Sequence, residues 1–145
     1  MALLGILVAA LSGVLMSVQG VFNTEVTKQG GIWMSAAFVQ LTAFATCVLA
    51  WLISGRNGSL SAILSIDRKY LLLGGVIGAF ITYTVIKSIS LAGPAKATLV
   101  IVTAQLLAAY LIELFGLFGM EKAVFEVKKL IGIILAVVGF VIFNF

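Results

Sequence analysis

The side chains able to do chemistry in this sequence are few, and most of them are amides. Gln19 and Asn23 lie four residues apart, and with Ser12 and Met16 they keep spacings of four, three and four. On a helix that sets all four on one face. Thr98, Gln105 and Glu113 are seven and eight apart and again share a face, Tyr83, Lys87 and Ser90 form a third stripe, and Gln40 stands alone. An amide offers both donors and acceptors, so these residues suit a neutral or zwitterionic polar solute better than a bare cation. The same groups can instead tie helices together by hydrogen bonds. Three stripes in one small bundle favour a shared hydrophilic cavity, with Gln105, Gln19, Asn23, Tyr83 and Gln40 as its expected substrate-binding residues.

Other chemistries are excluded by what the chain lacks. It has no His, hence no imidazole ligand or proton relay, and its single Cys47 permits no internal disulfide and no cysteine zinc cluster. No metal and no cofactor are expected. Gly74, Gly75 and Gly78 lie inside an apolar run and not after a strand, so they are not a nucleotide fingerprint. The longest hydrophilic stretch, Gly55 to Lys69, has fifteen residues, too few for a catalytic domain. The chain is expected not to be an enzyme.

The elements that must position these residues are set by composition. Of the 145 residues 63% are hydrophobic and 10% charged, where a soluble domain carries about a quarter charged residues. A soluble enzyme, a nucleic-acid binder and a disordered segment are thereby ruled out. A bilayer core of about 30 Å needs about 20 apolar residues in a helix. Five runs meet that need, over residues 2–22, 33–54, 70–91, 95–118 and 130–145. All should be helices, because lipid offers no water to satisfy a broken backbone. The first run has no Lys or Arg before it and no small-x-small cleavage site after it, which favours a membrane span over a signal peptide. The expected fold is all-α and transmembrane, a single five-helix domain over 1–145.

Five spans put Arg56, Arg68, Lys69, Lys122, Lys128 and Lys129 on one side and Lys28, Lys87 and Lys96 on the other. Six basic residues against three favour an N-terminus inside and a C-terminus outside, by a bias small enough to allow insertion in both orientations. Small residues recur at close spacing: Gly5, Ala9, Gly13 and Ser17; Gly74 and Gly78; Gly132, Ala136 and Gly139. Such strips let helix backbones approach, either within one bundle or across a dimer interface.

Several of these pieces, in this order, resemble a known family. They are Gln19 with Asn23, Gly74-Gly75-Val76-Ile77-Gly78-Ala79, Ala104-Gln105-Leu106, the run from Glu113 to Gly119, and a last helix opening Leu130-Ile131-Gly132. Together they resemble the YdcZ-like family, the single-domain five-span branch of the drug/metabolite transporter superfamily, over nearly the whole chain. The last two helices also look like the end of the small multidrug resistance proteins. The resemblance implies a multi-pass protein of the bacterial cytoplasmic (inner) membrane that exports or exchanges small molecules on an ion gradient. It also implies an antiparallel homodimer of ten helices, or pairing with an inverted homologue. Two departures stand out. Small multidrug resistance proteins carry a glutamate deep in the first helix, where this chain has Ser12, Met16 and Ser17, so their proton-coupled export of cations does not carry over. Ala104 stands where the family more often has Gly before the glutamine.

The expected function is a secondary transporter of small polar molecules or metabolites. A non-transporting membrane subunit of a larger complex and a passive channel are the alternatives. At 1.5 Å per residue Gln105 lies about 15 Å into its helix, near the midplane where transporter sites tend to lie. Glu113 lies about 27 Å in, and Lys87 about 6 Å from the opposite surface, too far apart to pair within one protomer. Inverting a second copy brings the two to a common depth, as a cross-dimer gate. Otherwise both charges snorkel to water unpaired.

Overall fold

The structure, a computed structural model, describes residues 2–144. Among them there is no strand. The helices in chain order are α1 (Ala2–Gly30), α2 (Ile32–Ile53), the short α3 (Leu60–Leu64), α4 (Gly74–Ala92), α5 (Pro94–Phe115) and α6 (Val127–Asn144). Single 3₁₀ turns, Lys69–Leu73 and Leu117–Gly119, precede α4 and follow α5. The chain divides into two compact units, Met1–Ser90 and Leu91–Phe145. In the first, α1 packs on α2 and touches α4; in the second, α5 packs on α6.

Among the described residues four helical stretches are long and apolar enough to cross a membrane: Leu3–Gly30, Ile32–Ile53, Lys69–Ala92 and Pro94–Phe115. The fifth expected run forms α6, whose 18 residues rise about 27 Å, slightly less than a bilayer core.

Two helix ends differ from their expected positions. The first helix was expected to stop near Phe22, and instead it continues to Gly30. The polar stretch that follows Asn23 contains no proline, and its side chains support the helix. The Thr24 and Thr27 hydroxyls donate to the carbonyls of Gly20 and Thr24, and Lys28 pairs with Glu25 at 2.7 Å. The helix ends at Gly31, whose φ of 71° is left-handed and easily adopted only without a Cβ. The fourth run was expected to reach Phe118, and α5 stops at Phe115 because Gly116 caps it in the left-handed conformation. Its amide donates to the Glu113 carbonyl at 3.2 Å. At the other end, Pro94 opens α5 as its first residue, where its missing N–H costs nothing.

Candidate functional site

Most Ser and Thr hydroxyls of the long helices bond within their own helix, and the amides do not. Ser12 and Ser17 donate to the carbonyls of Val8 and Gly13, and Thr82 and Thr103 to those of Gly78 and Leu99. Ser90 donates to the carbonyl of Lys87. These hydroxyls are satisfied within their own helices. Gln19, Asn23, Gln40 and Gln105 make no hydrogen bond to any other described residue, and their capacity to bind remains open.

In the first unit the α1 stripe is a real surface feature. Ser12, Met16, Gln19, Phe22 and Asn23 line a concavity of about 550 Å³, and every lining residue belongs to α1. Gln19 is exposed along it and Asn23 is buried at its end. A second cavity, of about 440 Å³, lies between α2 and α4, lined by Trp33, Ala36, Ala37, Gln40, Gly75 and Ala79. The small residues create that space. Gly78 lets the Gln40 amide approach so closely that a Cβ on it would stand 3.4 Å from Nε2. Tyr83 stacks on Trp33, with ring centroids 4.6 Å apart and planes 21° from parallel, while Phe80 meets the same indole edge-on at 6.4 Å. Gln40 and Tyr83 thus converge on one indole-lined region.

Trp33 is the residue that sequence reasoning missed. Its signal was available: positions 33, 36, 37 and 40 follow helical spacing and form one face of α2.

In the second unit Gln105 lies at the middle of α5, eleven residues from Pro94 and ten from Phe115, about 16 and 15 Å along the axis. It is exposed and lines neither of the two spaces between α5 and α6, although Ala109, one turn further on, lines one of them. Glu113 lies in a cavity of about 420 Å³ with Leu106, Tyr110, Lys129 and Gly132. The loop between α5 and α6 is fastened here: the Ala123 amide donates to the Glu113 carbonyl at 2.9 Å, and the Glu126 amide to the buried Tyr110 hydroxyl at 3.4 Å. This sets Glu126 3.2 Å from Lys129. Lys87 is exposed near the end of α4 and makes no ion pair among the described residues.

Charges therefore gather near helix ends, and the cavities of the first unit are lined by neutral side chains. A family described as "Putative inner membrane exporter, YdcZ" matches residues 4–142. No curated protein and no solved structure matches the chain. The match spans almost the entire sequence, and the chain belongs to the YdcZ-like family of drug/metabolite transporters, proteins of the inner membrane.

Proposed function

We propose that the chain is a secondary transporter that exports or exchanges small polar molecules or metabolites by alternating access. The observation that carries this reading is the open hydrogen-bonding capacity at membrane depth. Gln105 stands at the midpoint of α5, Tyr83 at the midpoint of α4, and Gln40 on the α2–α4 cavity, while neighbouring hydroxyls are already bonded. A polar group unpaired in hydrocarbon is expensive, so amides left free there point to a ligand or to water. Gln19 and Asn23 add two further open amides, on the α1 concavity.

The working unit is an antiparallel homodimer, or a pair with an inverted homologue, in which α6 serves as the fifth span by slight local thinning of the bilayer. Two observations support a second copy. The α1 concavity has walls from one helix only. A Cβ on Gly5 or Gly13 would meet no atom of the first unit within 4 Å, so this small-residue strip of α1 is left open for a partner helix. Within the dimer Lys87, about 7.5 Å from the end of α4, and the partner's Glu113, about 3 Å from the end of α5, reach a common depth and form the gate. Glu113 also has Lys129 beside it in its own chain, so the gate exchanges one cation for another.

The test is solute flux in proteoliposomes. A carrier gives saturable uptake accelerated by substrate on the opposite side. A channel gives uptake linear in concentration, a non-transporting subunit gives none, and either of the last two outcomes rejects the proposal.

A further inference from the structure

A further cavity in the first unit lies away from all of these residues. It measures about 720 Å³ and sits where α2 ends, walled by Phe44, Cys47, Val48 and Trp51 from α2 and by Ile63 and Ile66 from the α3 segment. The turn that roofs it is built. Gly55 adopts φ 85° just past α2, and the Arg56 amide donates back to the Trp51 carbonyl at 3.0 Å, the six-to-one bond of a Schellman motif. The Trp51 indole N–H donates to the Asn57 carbonyl at 3.0 Å, and the Asn57 amide donates to Ser54 at 3.1 Å. Ser59 caps α3 by accepting from the Ala62 amide at 3.2 Å.

Three features limit what can occupy this space. Its walls are apolar. It opens where a spanning helix ends, at the depth of lipid headgroups, where indole side chains concentrate. Around it the chain is basic: Arg56, Arg68 and Lys69 against Asp67 give 3 − 1 = +2 over Gly55 to Lys69. Lys69 folds its ammonium back onto the Leu64 carbonyl, over the end of α3. Leu60, Ile63 and Leu64 are each more than half exposed on α3, a surface that lipid tolerates and water does not. An apolar hole at headgroup depth, in a segment whose net charge is positive, matches an amphiphile with a negative head.

We propose that this cavity is a binding site for an anionic phospholipid, with an acyl chain between α2 and α3 and the headgroup against Arg56, Arg68 and Lys69. The chain has two tryptophans, so Trp33→Phe leaves Trp51 as the sole reporter on the cavity wall. That protein is reconstituted in phosphatidylcholine containing a small equal fraction of either brominated phosphatidylglycerol or brominated phosphatidylcholine. Phosphatidylglycerol should quench Trp51 with an apparent affinity at least about fivefold higher, the factor expected of one surface cation. Ala62→Phe, which fills the hole, should bring the ratio to one, and Arg56→Gln with Arg68→Gln, both on the surface, should lower it severalfold. A ratio of one in the parent protein overturns the proposal. So does a fivefold ratio that survives both sets of substitutions, or brominated oleic acid quenching as strongly as phosphatidylglycerol. Absence of quenching by either lipid, as a second protein copy over the cavity would produce, overturns it as well.

Discussion

Gly20 lies where α1 meets α4, and its replacement should show how tightly that crossing is specified. A Cβ at this position would lie 2.7 Å from Ile89 Cδ1 and 3.5 Å from Val85 Cγ1. Carbon atoms pack best at about 3.5–4.0 Å, so one contact overlaps by about 1 Å while the other is ordinary. Ile89 is 7% exposed and the adjacent Ile86 1%, which leaves the isoleucine little room to move. Gly20→Ala should cost about 2 kcal/mol of packing strain, offset by about 1 kcal/mol of helix propensity. Ile89→Val alone should cost about 1 kcal/mol. The double variant removes the clashing methyl and refills its space, so its stability should return to within about 0.5 kcal/mol of the parent, an interaction of about 2 kcal/mol. Gly74→Ala, where an added Cβ meets nothing within 4 Å, is the control and should be neutral or slightly stabilising. The assay is reversible unfolding of the purified protein in mild detergent, followed by helical circular dichroism. If Gly20→Ala matches Gly74→Ala, or the two substitutions simply add, the α1–α4 crossing is wrong, and with it the position of the neighbouring Gln19.

Gly116→Ala should destabilise more than Gly55→Ala. Both glycines are left-handed and carry about 1 kcal/mol of backbone strain on substitution, but only at Gly116 would a Cβ press on the Met120 carbonyl at 3.2 Å, adding about 1–2 kcal/mol. Equal thermal shifts for the two would refute the difference. Gly5→Ile combined with Gly13→Ile should convert dimers to monomers in chemical cross-linking without changing helix content, because a Cβ on these glycines meets no atom of the first unit within 4 Å; undiminished cross-linking would exclude this strip from the interface. For the gate, Lys87→Glu and Glu113→Lys should each impair transport and together restore it, whereas additive losses would mean independent residues.

Much of this was legible in the sequence, because the periodicities within single helices are local. The α1 stripe of Ser12, Met16, Gln19 and Asn23 lines one concavity as its spacing implies, and the apolar runs form helices. Hydropathy set the end of the first helix too early, since it measures where lipid ends and not where backbone hydrogen bonding does; Thr24, Glu25, Thr27 and Lys28 are polar and still helical. Gly116 was in view as a terminator, yet the apolar Leu117 and Phe118 after it masked the stop. What the sequence could not reveal is register between helices. Trp33 on Tyr83, Gln40 on Gly78 and Gly20 on Ile89 each join residues of different helices, and no period along the chain relates them.

The central claim is that amides at membrane depth carry the solute, and Gln105 tests it most directly. A solute is first found by its thermal stabilisation of the purified protein, since a ligand that binds the folded state raises apparent stability. Counterflow of that solute is then compared between the parent and Gln105→Leu in proteoliposomes of matched protein content. The exposed position of Gln105 predicts that leucine leaves folding and dimerisation intact. Saturable exchange should be present in the parent and abolished in the variant. Unchanged exchange kinetics in Gln105→Leu would contradict the account.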